Sequence, residues 1–112
     1  MSIIEQGSSG NLTPILTGVN ILPYSIMGNG SKDVATAGSS EALAASTSIK
    51  SVTIRAKSSN TGLIYVGSSS VSSSNGFQLS ADETVSLDLD NLSKIYLDCD
   101  SDGDGVTYIY LA

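Results

Sequence analysis

The sequence predicts an all-β domain, an antiparallel β-sandwich of jelly-roll type, preceded by an extended N-terminal arm. Three observations carry this expectation. Short apolar runs recur at close spacing from residue 32 onward, separated by turns rich in Ser, Asn, Asp and Gly. Several of those runs alternate apolar and polar residues with a period of two, the signature of a half-buried strand. No stretch keeps a helical period long enough to make a helix. A chain of 112 residues is one domain's worth of material. It divides here into an arm, residues 1–31, and a domain, residues 32–112.

The arm differs in texture from the domain. Ile3, Ile4, Leu12, Ile15, Leu16, Val19, Ile21, Leu22, Ile26 and Met27 are apolar without a sustained period. Both prolines, Pro14 and Pro23, lie here and push their predecessors toward extended backbone. A segment this apolar is not a disordered tail by composition, so it is expected to lie across a surface of its own domain or of another subunit. After Asn29-Gly30, residues 32–37 suit a short strand and 38–41 a turn. Residues 42–45 fit either a helical turn or an edge strand.

The centre of the chain is the stretch Ile49–Gly67. Val52, Ile54 and Ala56 point one way; Ser51, Thr53, Arg55 and Lys57 point the other. Residues 63–66 are apolar on both faces and so more deeply covered. Asn60-Thr61-Gly62 between them predicts a chain reversal through residues that tolerate positive φ, which makes the stretch a hairpin. Residues 68–76 are serine-rich, with Val71 as an apolar anchor and Asn75-Gly76 as a turn. Phe77 and Leu79 alternate with Gln78 and Ser80; Val85, Leu87 and Leu89 alternate with Ser86, Asp88 and Asp90. Asn91-Leu92-Ser93 turns the chain. Ile95, Leu97 and Cys99 then face in, with Lys94, Tyr96, Asp98 and Asp100 facing out. The last strand, Val106–Leu111, is apolar on both faces and must be central in a sheet or covered by another chain.

Composition narrows the function classes. Charged residues are 14 % of the chain, against roughly 25 % in typical soluble domains. Hydroxyls replace charges, which suits equally a surface covered by partners and a small β-protein with serine-rich loops. The net charge of −6 argues against nucleic acid, whose phosphates need a basic face. Basic residues gather before the midpoint and acidic ones after it, an asymmetry that fits either head-to-tail contacts between copies or, more commonly, a solvated face. The single cysteine cannot form an internal disulfide and suits a reducing cytosol. The N-terminus lacks a basic region followed by a long apolar run, so neither a signal peptide nor a membrane span is expected.

Chemistry is sparse. With no histidine, Ser-His and Cys-His catalysis is excluded, and no serine sits in a Gly-x-Ser-x-Gly elbow. Cys99 reads as a small buried hydrophobe. The expectation is therefore a protein that is not an enzyme, with no catalytic residues, no cofactor and no metal. One motif competes with that. Asp98, Asp100, Asp102 and Asp104, followed through Gly103, match the start of an EF-hand calcium loop. Its twelfth position, however, is Ile109 where a bidentate glutamate is required, and the flanks read as strands. A hairpin loop is the better account, with a weak calcium site as the alternative. Tyr65, Tyr96, Tyr108 and Tyr110 could form an aromatic platform for a sugar, though tyrosine is ordinary in strands.

Several stretches resemble a family of small proteins from tailed bacteriophages and prophages. They are Ile49–Lys57, Asn60–Gly67, Val71–Leu79, Glu83–Leu97 and the ending Asp104–Tyr110. The pairing of Asn60-Thr61-Gly62 and Ile64-Tyr65-Val66-Gly67 with Ser74-Asn75-Gly76-Phe77 is the most specific part. The resemblance covers residues 33–111 and leaves the arm outside. It implies a non-enzymatic virion protein, most directly a capsid decoration (cement) protein on the capsid surface, assembled in the host bacterial cytoplasm. The partners it implies are the major capsid protein and further copies of this chain, as a trimer. A neck, tail or head-fibre component, or a glycan-binding module, is the alternative.

Overall fold

Alternation along Ser51–Ala56 sets the architecture: Val52, Ile54 and Ala56 are buried while Arg55 between them is exposed. A computed structural model describes residues 24–112. In chain order its strands are β1 Met27–Asp33, β2 Glu41–Ala42, β3 Ser51–Ala56 and β4 Ile64–Gly67. They continue with β5 Phe77–Leu79, β6 Thr84–Asp88, β7 Tyr96–Cys99 and β8 Gly105–Leu111, and a 3-10 turn at Leu92–Lys94 precedes β7. The protein is all-β, as expected. Two four-stranded sheets form, in the order β1-β8-β3-β6 and β2-β7-β4-β5, and every pairing is antiparallel. This is compatible with the expected β-sandwich.

One core lies between the sheets. Val52, Ile54, Ala56 and Val106 meet it from the first sheet, and Ile64, Val66, Leu79, Leu97 and Cys99 from the second. Val34, Leu43, Ile49, Leu92 and Ile95 close it from the connections. β4 is buried from Ile64 to Val66 on both faces, as its sequence demands. The doubly apolar β8 is an internal strand, paired with β1 on one side and β3 on the other.

Three expectations change. The stretch Ile49–Gly67 is not a hairpin: β3 and β4 belong to different sheets and share no pairing. The reason lies in the turn. Asn60 donates its amide to Gly105 O and accepts from Gly105 N, both at 2.9 Å, so the chain is tied to the start of β8 and carried across. Gly62 is required there for space, because a Cβ would sit 2.8 Å from Asp100 Cβ; its φ is not positive. Next, the boundary at residue 31 falls inside β1, so residues 27–31 belong to the first sheet. The remainder of the expected arm, residues 1–23, lies outside the described residues. Finally, alternation predicts that Asp98 faces solvent, yet it is buried, because the Thr36–Ser40 turn folds over it.

Candidate functional site

The described residues expose five large hydrophobic side chains, and four of them gather at one corner. Tyr24 (45 % exposed), Ile26 (59 %) and Met27 (69 %) lead into β1, and Ile109 (44 %) lies on the adjoining strand β8. The backbone explains the clustering. Ile26 N and Ala112 N exchange bonds with Ala112 O and Ile26 O at 3.0 and 2.9 Å, which extends the β1–β8 ladder beyond Met27. Met27 stands opposite Leu111 and Asn29 opposite Ile109, so Met27, Ile109 and Leu111 share the outer face of the first sheet. Ile26, one residue before Met27 in the same register, turns to the opposite face, so the apolar strip of the outer face is Met27, Ile109 and Leu111.

The rest of that outer face is hydroxylic. Thr53 and Ser86 share a 2.9 Å hydrogen bond across β3 and β6, and Ser31, Thr84 and Thr107 surround them. An open depression of about 530 Å³ lies over Asn29, Ser31, Thr53, Arg55, Thr107 and Ile109. Its one charge, Arg55, is held 2.6 Å from Asp82. Nothing in this surface is a nucleophile with a base. It offers hydroxyls around an apolar centre, a face suited to contact.

The opposite edge carries a second apolar feature. Phe77, the fifth exposed hydrophobe, overhangs a cleft of about 370 Å³ between β6 and β5, lined by Val66, Val85, Leu87, Leu89 and Ile95. At the β1 edge the corresponding opening is closed. The rings of Tyr110 and Tyr108 lie over Gly28 and Gly30, where a Cβ would collide with them. Lys32 and Glu41 bridge the sheets at 2.8 Å.

The aspartate motif dissolves into separate tasks. Asp98 Oδ1 accepts from Gly38 N and Cys99 N at 2.8 Å each, and Asp102 Oδ1 accepts from Ala37 N at 2.8 Å. Asp100 accepts the Tyr65 hydroxyl at 2.8 Å. Asp104, itself buried, accepts from Gly62 N at 2.8 Å and from Thr61 N at 3.1 Å. The carboxylates thus staple the Thr36–Ser40 turn and the β3–β4 crossover to the β7–β8 loop. Among the described residues no three Cys, Asp or Glu side chains come together as a metal ion requires.

The tyrosines do not form one platform. Tyr65 lies in the second sheet, and its bond to Asp100 pushes its phenol pKa up. Tyr108 and Tyr110 stack on each other in the first sheet with centroids 6.5 Å apart, while Tyr96 stands in β7. Cys99 is buried, and that burial, followed by the charges of Asp98 and Asp104, pushes its thiol up. A thiolate is the reactive form, so burial and the upward shift both disfavour reaction at this cysteine. Four of the five cations pair within the described residues: Lys32 with Glu41, Arg55 with Asp82, Lys57 with Asp33 and Lys94 with Asp90. Acidic side chains after the midpoint stay in excess, since only Asp82 and Asp90 among them take a cation.

No family model, curated protein or solved structure matches the chain. Sequence reasoning misses the apolar corner because it assigns Ile26 and Met27 to the arm and gives Tyr24 no pattern to belong to. The signal is Ile109, an apolar residue on the hydroxylic face of the last strand.

Proposed function

We propose that this chain is a non-enzymatic structural protein of a tailed-phage virion, a capsid decoration protein that binds major capsid subunits. The observation that supports it best is the apolar corner of Tyr24, Ile26, Met27 and Ile109. It sits at the start of the described residues, beside the free end of β8, where a partner surface can reach it. At about 25 cal/mol per Å² covered, a few hundred Å² would contribute several kcal/mol to docking. The strand orders β1-β8-β3-β6 and β2-β7-β4-β5, with every connection except β4–β5 changing sheets, favour a jelly roll, a common scaffold of capsid proteins. The glycan-binding alternative loses its main support, since Tyr65 and Tyr96 stand apart from Tyr108 and Tyr110.

The test is immunogold labelling of purified virions with antibody to this chain. Label over the head surface is the expected result; label confined to the tail or neck selects the fibre alternative, and unlabelled particles overturn the reading. The Met27→Asp, Ile109→Asp double variant should fold normally and lose binding to undecorated heads.

A further inference from the structure

Edge strand β6 offers more than a cleft. Ala56 N bonds to Glu83 O and Leu89 N to Lys50 O, and the β3–β6 register is constant between them. In an antiparallel ladder bonding alternates, so Val85 and Leu87 turn their backbone groups toward β3. The N–H and C=O of Thr84, Ser86 and Asp88 then point off the edge, where no strand of the described residues pairs with them. An added strand would pair with those three residues and lower its inward side chains onto Val85, Leu87, Leu89 and Phe77.

We propose that this edge accepts residues Val19–Leu22 of a second copy of the chain. This rests on the reading that the protein works by contact, though not on its being a virion component. The segment is apolar, with Val19 and Ile21 separated by Asn20, and carries no charge. Its point of attachment excludes its own domain as host. Tyr24 enters at β1, and strands are about 4.8 Å apart, so a strand added beyond β6 lies about 19 Å away across the sheet. Ile21 is three residues from Tyr24, a reach of at most about 11 Å, and Val19 reaches at most about 18 Å even when straight. Neither can run alongside its own β6. A neighbour's β6 carries no such restriction. Donor and acceptor occupy opposite edges of one sheet, so the contact is heterologous and propagates head to tail until a ring closes.

The experiment is sedimentation velocity on the full-length wild type, three full-length variants and one mixture. The wild type should associate at tens of micromolar. A donor-defective variant, Val19→Asp with Ile21→Asp, and a cleft variant, Phe77→Asp, should each sediment as a monomer. Ser86→Pro should do the same. It removes an N–H that only an added strand uses; the β3 ladder stays, and loss of the exposed Thr53–Ser86 hydroxyl bond should lower the urea midpoint only slightly. An equimolar mixture of the Phe77→Asp and Val19→Asp, Ile21→Asp proteins should regain a heterodimer and nothing larger, because only one intact donor–acceptor pair exists. A monomeric wild type, an associating Val19→Asp, Ile21→Asp variant or Ser86→Pro variant, or a mixture that stays monomeric would overturn the proposal. Head labelling of virions is independent of all these results, which separates failure here from failure of the virion reading.

Discussion

Asp104→Ala distinguishes a carboxylate staple from a calcium site. The carboxylate is buried and takes two backbone donors from the β3–β4 crossover, Gly62 N at 2.8 Å and Thr61 N shared between both oxygens at 3.1 and 3.2 Å. A hydrogen bond to a charged acceptor contributes about 1.5–3 kcal/mol, and the longer, shared one falls at the low end. Alanine would leave both N–H groups without their partner in a partly buried turn. The expected loss is about 3 kcal/mol, a large share of the roughly 5–15 kcal/mol that holds a domain together. With a urea slope of about 2 kcal/mol per M, the midpoint should fall by about 1.5 M. Asp104→Asn keeps one acceptor oxygen and should lose about half as much. Both measurements are made in EDTA and again in millimolar calcium, and the wild-type midpoint should be the same in each. A wild-type midpoint that calcium raises and the Asp104→Ala midpoint does not follow would refute the staple, because the carboxylates would then be holding an ion.

Other outcomes follow from the packing and the titrating groups. Gly76→Ala places a Cβ 2.5 Å from Tyr65 Cβ and 3.0 Å from Ser72 O, neither able to move far, and should cost about 1–3 kcal/mol by urea titration. Gly103→Ala has open space around it and only its φ of 85° against it, so it should cost about 1 kcal/mol. Stability should decline at both ends of the pH scale. Lys32, with help from Ala35 N, holds Glu41 below its usual range, so its contribution is complete above the unfolded value of about 4.3 and lost as pH falls through the folded one. Tyr65 and Cys99 are shifted upward, so theirs are complete below the unfolded values of about 10 and 8.5 and are lost as pH rises through the folded ones. Urea midpoints measured across pH should show both limbs, and Glu41→Gln should flatten the acid one.

What the sequence disclosed was local, and what it hid was long-range. The facing of Val52, Ile54 and Ala56, the depth of β4 and the anchoring of Val71 all follow from residue type and period. The hairpin reading of Ile49–Gly67 fails because Asn60 and Gly62 look like ordinary turn residues. Their real partners, Gly105 for the first and Asp100 and Asp104 for the second, lie some forty residues on. Asn75-Gly76 likewise suggests positive φ, but Gly76 is needed for its closeness to Tyr65 and Val71. Asp98 shows the same limit: alternation puts it outside, and only the Thr36–Ser40 turn, folded back from sixty residues earlier, covers it. The candidate site was half legible, since the apolar character of Ile26, Met27 and Ile109 was plain while their convergence needed the β1–β8 register.

That register also determines how the domain bears load. β1 and β8 run antiparallel over seven residue pairs, with the chain entering β1 beside the end of β8. A pull on residue 24 directed away from residue 112 opens the ladder like a zipper, one bond at a time. A pull on residue 24 along the axis of β1, with the body of the domain held, strains the whole row in shear, and its bonds must break together. Tension delivered through the N-terminal segment along that axis therefore meets the fold in its stiff direction.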